Sequence, residues 1–570
     1  EINRGVDTYW LSQPVRTAFS HKHNANISGG SSKLRYGINL KLDQTNGVMK
    51  ESERRRMSLG VNLSYRVQDV MFSNNLEWAS THSEDSPYGN FSTYASRNPY
   101  DTFLNEDGSY KEILPDWSNV RGNPLYDAHL MSYNKNKTHD ISNNFGIKWF
   151  ATEHLRVEGR IAIRSTFKNT RKFLDPEHSQ FDKKPLEEKG SLAISNANSA
   201  SWDANVFVAY SKSFNRHHLS VTLGGNMQES NSENSSYTMS GFASGSTDDQ
   251  NFAANSSKPS GGSSQSRLVG AFTSINYTYN EIYLFDFSGR YDGASQFGSN
   301  NRFAPFYSVG AGINIHNYDY VKNNFPWINN LKIRGTFGIL GNSSFNQNLS
   351  KKMYAYNFNN WYVDGVGATI QVLGNPDLKW ERSQNLDLGL DLQLFDCFNA
   401  NLGYYRKVTN DLIGDISLPA STGFKSYKSN LGKVVNKGVE LSLNVSLIQK
   451  KDISLNVYGT MAHNKNVLEK ISDALKEYNN QVEEYFKENP NYNYPLLRYY
   501  EGASLTSIYA MKSIGINPAD GKEIFLKKDG TPSYEWDPGE HVICGDTEPT
   551  VSGSFGLNLS YKGFFMFTGF

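Results

Sequence analysis

The sequence has 570 residues with 57 basic and 57 acidic side chains, and this balance of charge gives no indication of a nucleic-acid partner. Mean hydropathy is −0.58, and the absence of any run of about 18 apolar residues excludes transmembrane helices. Aromatic residues make up 13% of the chain, an excess that suits the aromatic girdles of a membrane β-barrel.

Pairs of strands with alternating apolar and polar residues recur from the beginning of the chain to its end. The first pair covers residues 22–30 and 34–42, and a turn of a few residues joins its two strands. Short turns within pairs alternate with longer polar connections between pairs, and the pattern predicts about 18 strands. The further predicted strands lie at 57–65, 70–78, 145–149, 155–163, 202–210, 219–223, 269–279, 282–291, 307–315, 331–339, 386–394, 400–404, 439–447, 453–461, 555–561 and from 564 onward.

The clearest alternation lies at residues 386–394, where Leu386, Leu388 and Leu390 alternate with Asp387 and Gly389. A period of two places the leucines on one face of a strand and the polar residues on the other. Each such strand has about the 9–11 residues that a tilted strand needs to cross a bilayer. The sequence therefore predicts an all-β fold, a transmembrane antiparallel β-barrel of the outer membrane, with short periplasmic turns and long extracellular loops.

Soluble all-β architectures are the alternatives to a barrel. A β-sandwich of this length should break into domains of about 100–200 residues joined by linkers, and no shift in composition marks a boundary. A propeller should repeat a motif every 40–50 residues or so, whereas these strand pairs differ widely in length. The lack of a domain boundary and of a fixed repeat therefore favours the barrel.

Two of the long connections have a distinctive composition or spacing of apolar residues. Residues 231–266 are rich in Ser, Asn and Gly and are predicted to form a mobile surface loop. Residues 463–552 are predicted to form a large extracellular loop, and an amphipathic helix is expected where apolar residues recur at helical spacing. These residues are Val467, Leu468, Ile471, Leu475, Tyr478, Val482 and Tyr485.

Aromatic residues follow the predicted helix at Tyr492, Tyr494, Tyr499 and Tyr500. Long loops on a rigid scaffold often carry function. The rings could stack on sugar rings or on peptide side chains, or they could pack the loop itself.

No catalytic constellation stands out, because nucleophile, phosphate-binding and dinucleotide-binding motifs are absent. We therefore predict that the chain is not an enzyme. The pairs His21/His23 and His217/His218 lack carboxylate or thiol partners at ligand spacing and are interpreted as solvated. Cys397 and Cys544 are predicted to be unpaired.

One acidic stretch is a candidate cation site. Its carboxylates could hold calcium through oxygen ligands, although the calcium-loop pattern is absent there. A loose charged loop explains the same residues, and no other cofactor is predicted. The stretch contains Asp537, Glu540, His541 and Asp546.

Several motifs follow one another in a fixed order. RYDGAS at 290–295 precedes NRFAPFYSVG at 301–310, and LGNPDLKWE follows at 373–381. In this order the motifs resemble signatures of the SusC/RagA family, the TonB-dependent transporters of Bacteroidota, over essentially the whole chain. The further motifs are GILGN (338–342), YYRKVTNDL (404–412), LPASTG (418–423), NLGKVVNKGVE (430–440) and GDTEPTVSGSFGLNLSYKGF (545–564).

The resemblance implies that residues 1–570 are part of a longer protein. Family members carry a signal peptide, an N-terminal extension, a Ton box and a plug domain before a barrel of about 22 strands. The plug and roughly four strands are therefore expected to be missing from this sequence. The motifs themselves are expected to be structural, because Pro and Gly in NPDL (375–378) and STG (421–423) set turn dihedrals.

The resemblance also implies TonB-dependent import of oligomeric nutrients, glycans or peptides, together with a SusD-like surface lipoprotein and the TonB–ExbB–ExbD complex. Membrane lipid is expected to surround the barrel. Substrate contacts are expected from polar residues of the lumen and from exposed aromatic residues. The candidates are Trp117, Trp361, Tyr362, Tyr492 and Tyr494.

Three other functions remain open. A passive porin would need a lumen without a plug, and an outer-membrane adhesin or binding barrel would need a function that survives the loss of TonB. A siderophore-type TonB receptor shares the barrel but lacks LGNPDLKWE and NKGVE in this arrangement.

Overall fold

The computed structural model describes residues 5–114, 122–343, 345, 348, 350–363, 365–417, 423–424, 426–471, 473–489 and 496–570. The chain divides into two compact units. The first unit comprises Glu1–Phe207 and Asn226–Arg267, and the second comprises Val208–Gly225 and Leu268–Phe570.

The first unit contains six consecutive strands, each paired antiparallel with the next. Among the described residues between the fourth and fifth strands lie the short helices α1 (Phe91–Ala95) and α2 (Pro124–Ala128). The strands are β1 (His21–Gly30), β2 (Leu34–Asn46), β3 (Glu53–Val67), β4 (Val70–Glu84), β5 (Tyr133–Phe150) and β6 (Leu155–Leu174).

Four strands follow in the part of the chain where the two units alternate. The short β9 pairs antiparallel with the strand before it. These strands are β7 (Ser191–Phe214), β8 (His217–Ser240), β9 (Asn255–Ser256) and β10 (Ser260–Tyr279).

The second unit continues the antiparallel order from β10 onward through long strands. These are β11 (Tyr283–Ala294), β12 (Phe303–Asn314), β13 (Ile328–Asn342), β16 (Glu381–Leu394), β17 (Phe398–Ser417), β18 (Ser426–Lys450), β19 (Ile453–Lys470), β25 (Val551–Tyr561) and β26 (Phe564–Gly569).

Shorter elements fill the connections of the second unit. The helix α3 (Asp319–Asn324) precedes β13, and a separate hairpin of β14 (Met353–Tyr362) and β15 (Gly365–Val372) lies between β13 and β16. The described part of the connection from β19 to β25 contains one α-helix and five strands, besides a short 3-10 helix at Pro538–Glu540. These are α4 (Asp473–Glu488), β20 (Ser507–Ala510), β21 (Lys512–Ile516), β22 (Glu523–Leu526), β23 (Pro532–Ser533) and β24 (Val542–Asp546).

Each strand predicted from the sequence has a counterpart, and the prediction of an all-β antiparallel fold is confirmed. The prediction of a loop over 231–266 is wrong at both ends, because β8 continues to Ser240 and β10 begins at Ser260. The large connection is also shorter than 463–552, since β19 continues to Lys470. These extensions are rich in polar residues, so they lack the alternation that marks a half-buried strand, while their backbones still pair.

The residues of the predicted helix in the large connection belong to two different elements. Val467 and Leu468 belong to β19, and the helix α4 begins only at Asp473. A short group of apolar residues at mixed spacing is compatible with the end of a strand as well as with the start of a helix, so the sequence did not separate the two elements. Among the described residues, no helix is long and apolar enough to span a membrane.

The tight turns depend on residues with positive φ. In the hairpin of β16 and β17, Phe395 and Asp396 have φ of 52° and 57°, and Asn280 and Glu281 have φ of 51° and 56° between β10 and β11. Two consecutive residues with positive φ match the right-handed twist of the flanking strands. Short loops of this kind fix the register of each hairpin.

Apolar side chains form an exposed row across neighbouring strands. Leu388 lies opposite Tyr404, which lies opposite Val439, and the three are 49%, 39% and 42% exposed. Exposure of such a row to water would be unfavourable by a free energy of about 25 cal/mol for each Å² of apolar surface. Lipid removes this cost, so the exposed row identifies the lipid-facing side of the sheet.

We expect Leu388→Arg to destabilise the protein by about 2–4 kcal/mol, because a charge at the lipid face must leave water. Urea unfolding of the full-length protein in lipid vesicles measures this change.

Asp387→Arg provides the control, since this residue precedes Leu388 in β16 and points to the opposite face. An equal loss of stability in the two variants would contradict the assignment of the lipid-facing side.

Candidate ligand-binding site

The structure places one of the five aromatic side chains proposed to contact substrate. Trp361 lies near the end of β14 and is 70% exposed. Tyr362 is the last residue of the same strand, and its side chain lies outside the described set. Trp117, Tyr492 and Tyr494 also lie outside the described residues. The role of all five in substrate binding therefore stays a prediction.

The connection from β19 to β25 packs as a small folded structure around α4. Val482 and Phe486 are buried on the helix, one turn apart on the same face. Asn479 anchors the helix to the following segment, because its side-chain amide donates to the carbonyl of Tyr499 at 2.6 Å and its side-chain oxygen accepts from the Tyr499 N–H at 2.9 Å. The aromatic residues Tyr499 and Tyr500 thus have packing roles, with Tyr499 5.6 Å from Tyr478 and Tyr500 5.4 Å from Tyr509 between ring centroids.

A pocket of about 510 Å³ opens beside this helix. Arg498 lies in its wall, 5% exposed. Its guanidinium lies 5.2 Å from the centre of the Phe486 ring, and its Nη2 donates to the carbonyl of Pro538 at 3.2 Å. We call this the Arg498 pocket; it is lined by Glu483, Phe486, Lys487, Arg498, Tyr500, Lys528, Trp536, Asp537, Pro538 and Gly539.

A histidine lies behind the aromatic wall of this pocket. His541 is 4% exposed and packs edge-on against Phe486 at 5.4 Å and Trp536 at 5.0 Å between ring centroids. Burial, together with the charges of Arg498 and Lys528, lowers the pKa of His541 to about 4. The imidazole is therefore neutral at pH 7.

The acidic residues proposed for calcium are bound to separate groups. Asp537 accepts from the Gly539 N–H at 2.8 Å, and Glu540 accepts from the Lys528 N–H at 2.8 Å. Asp546 accepts from the hydroxyl of Thr506 at 2.6 Å. These side chains do not appear among the described groups whose ligand atoms gather within 4.8 Å.

A different acidic group among the described residues does have its ligand atoms close together, and it was not predicted from the sequence. Ligand atoms of Glu53, His82 and Glu84 lie within 4.8 Å of one another, because β3 and β4 place Glu53 opposite Glu84. Lys135 Nζ lies 3.5 Å from Glu84 Oε1 and offsets part of the charge. Strand register, which sequence spacing does not reveal, brings these residues together.

NRFAPFYSVG and LGNPDLKWE, two of the motifs that resemble SusC/RagA signatures, meet in one cluster of the second unit. Trp380 of LGNPDLKWE is 4% exposed, stacks on Phe297 at 4.3 Å between ring centroids, and lies 5.2 Å from Phe306. Its indole N–H donates to the carbonyl of Arg302 at 2.9 Å. We call these residues the Trp380 cluster.

Polar contacts and close backbone packing complete the Trp380 cluster. Asn300 donates to the Asp377 carboxylate at 2.8 Å, and the Gly298 N–H donates to the carbonyl of Leu378 at 3.1 Å. A Cβ on Gly298 would lie 2.0 Å from the carbonyl oxygen of Pro376, so glycine is required where these two backbones meet. NPDL (375–378) therefore holds two connections together, which agrees with the structural role expected from the sequence, whereas Ser421 and Thr422 of STG lie outside the described residues.

Comparisons with known proteins agree with this architecture. The family model "TonB dependent receptor-like, beta-barrel" matches residues 12–534. TonB-dependent receptor P26 from Formosa agariphila is 27% identical over 478 residues, covering 80% of this chain and 46% of that protein. TonB-dependent receptor SusC from Bacteroides thetaiotaomicron is 24% identical over 601 residues, covering 98% of this chain and 58% of SusC.

A solved structure of the RagAB peptide transporter has the same fold. Its TM-score is 0.83 at 22% identity, and the match covers 99% of this chain and 63% of that chain. The chain spans about half the length of the curated relatives that it matches.

We expect Trp380→Ala to reduce stability by about 3–5 kcal/mol, because it removes a buried aromatic ring and leaves a cavity. Denaturant unfolding in detergent measures the loss.

Trp361→Ala is the matched control, since the ring of Trp361 is exposed and its removal should change stability by no more than about 0.5 kcal/mol. Similar losses in the two variants would show that the Trp380 cluster is not a stabilising core.

We expect His541 to make the protein less stable as the pH falls from 6.5 toward 4. The pKa of His541 is about 4 in the folded protein and 6.5 in the unfolded chain. Between these two pH values the unfolded chain binds a proton that the folded protein does not. The free energy of unfolding therefore decreases as the pH is lowered. His541→Phe should lose less stability than wild type over this range, as thermal unfolding at pH 7.5 and pH 5 would measure.

His23→Gln, which changes an exposed histidine, should follow wild type. A wild-type pH dependence retained in full by His541→Phe would exclude this contribution.

Proposed function

Because the chain belongs to the family of TonB-dependent receptor-like β-barrels, which are outer-membrane proteins and not enzymes, we propose that its full-length protein imports oligomeric nutrients across the outer membrane. Import is driven through TonB, ExbB and ExbD. The observation that carries this proposal is the family match over residues 12–534. The resemblance to the SusC/RagA family is confirmed by the similarity to SusC and to RagAB.

The partner in this proposal is a SusD-like surface lipoprotein that closes over the barrel as a lid. The motif order supports it, because the Trp380 cluster is built from sequences that resemble SusC/RagA signatures. RagAB, which has the same fold, is a peptide transporter. The lipoprotein and the barrel would then enclose the ligand between them.

The cargo in this proposal is an oligomer, either a glycan or a peptide. The connections of the second unit offer exposed aromatic rings, such as Trp361, and a pocket with polar and aromatic walls. Aromatic faces and a few fixed polar groups are what recognition of sugars or peptides requires. A passive porin or an adhesive binding barrel would need neither TonB nor a lid.

Purification of the tagged full-length protein from its native outer membrane in mild detergent tests the proposal. We expect a SusD-like lipoprotein to accompany the barrel in stoichiometric amount, because the lid and the barrel form one import complex. Mass spectrometry of the purified material identifies the partner.

An unrelated outer-membrane barrel carrying the same tag is the control for non-specific recovery. Recovery of the barrel alone, combined with nutrient uptake that persists in a strain without TonB, would refute the proposal and favour a porin.

A further inference from the structure

The Arg498 pocket holds a buried positive charge without a counter-ion. In the part of the chain that the structure describes, the Arg498 guanidinium makes no ion pair with a carboxylate, and its Nε has no hydrogen-bond partner. The contacts that it does make are a carbonyl oxygen of Pro538 and the face of Phe486. Burial of an arginine is unfavourable unless an anion pairs with it.

Other donors around the same pocket also lack acceptors. The indole N–H of Trp536 is buried without a partner among the described residues, and so are the two ring nitrogens of His541, of which one is a donor and the other an acceptor in the neutral imidazole. Buried polar groups are usually satisfied, so several unsatisfied donors in one place indicate a missing acceptor. These side chains come from two segments of the connection, and the fold alone brings them together.

The balance of charge in the pocket is positive. Lys487 and Lys528 line it together with Arg498, and Glu483 and Asp537 are the acidic residues of its wall. Asp537 is engaged, because its Oδ1 accepts the Gly539 N–H at 2.8 Å. Glu483 and Asp537 are exposed, and so are Lys487 and Lys528. Arg498 is therefore the buried charge among the residues that line the pocket.

We propose that the Arg498 pocket binds a carboxylate group carried by the imported oligomer. The proposal rests on the proposed function and names the chemistry of its cargo. A guanidinium matches a carboxylate through two parallel hydrogen bonds, and the rings of Tyr500 and Trp536 provide apolar walls for the residue that carries it. A volume of about 510 Å³ is within the usual range for small-ligand pockets.

Uronic acids and acidic amino acids are the two sources of such a carboxylate. Calorimetric titration of the full-length protein in detergent compares trigalacturonate with its methyl ester, and triglutamate with triglutamine, both peptides with an acetylated N-terminus and an amidated C-terminus so that the side chains carry the only difference in charge. We expect one acidic probe to bind about tenfold to a hundredfold more tightly than its neutral counterpart, because a charged hydrogen bond is lost in the neutral probe. The pair that shows the difference identifies the source.

Three variants locate the interaction. Arg498→Met should abolish the preference for the acidic probe, and Arg498→Lys should retain part of it, since the charge remains but the two-pronged geometry does not. Lys487→Gln, on the exposed rim, should weaken acidic binding severalfold without disturbing the fold. Lys476→Gln is its matched control, because it removes the same charge from α4 at a residue that pairs with Asp473 outside the pocket.

Equal binding of acidic and neutral probes by wild type would overturn the inference. So would equal effects of Lys487→Gln and Lys476→Gln. If the lipoprotein co-purifies while no probe pair is discriminated, the carboxylate site is wrong and the import function stands. If a barrel that purifies alone still discriminates a probe pair, the carboxylate site stands and the import complex is wrong.

Discussion

The hydrogen-bonding need of the backbone in hydrocarbon is the constraint from which the rest of this structure follows. Lipid offers no partner for N–H and C=O groups, so each strand must bond to its neighbours. The long strands of the second unit meet this need through an unbroken order of antiparallel pairs from β10 to β26. Once the strands are paired, the period of two decides which side chains meet lipid, as the row Leu388, Tyr404 and Val439 illustrates.

The long connections obey the rules of soluble proteins. Small apolar cores hold them, among them the Trp380 cluster and a group around Phe173 and Phe242 in the first unit. These cores form because water surrounds the connections, and burial of aromatic rings then provides the driving force. Two of the motifs that resemble SusC/RagA signatures, NRFAPFYSVG and LGNPDLKWE, supply residues of such a core.

The connection from β19 to β25 differs from the Trp380 cluster in its electrostatics. Its walls bury Arg498 and keep His541 neutral, whereas the Trp380 cluster satisfies its polar groups internally. A connection that only closed the chain would have no use for an unpaired buried cation, since the desolvation penalty opposes folding. A site that receives an anion explains the same arrangement, because the ligand supplies the missing charge.

The sequence by itself determined the long paired strands and the tight turns between them, because alternation and short hairpins are local properties, but it did not reveal β9, β14, β15 or β20 to β24. It also determined the family, through motifs in a fixed order. Only the tertiary structure decided the ends of β8, β10 and β19, since polar extensions carry no alternation and are held by pairing alone. The Arg498 pocket is also decided by the tertiary structure, because Arg498 lies far along the chain from the segment that holds Trp536 and His541, and the two meet only when α4 and the later strands fold against one another.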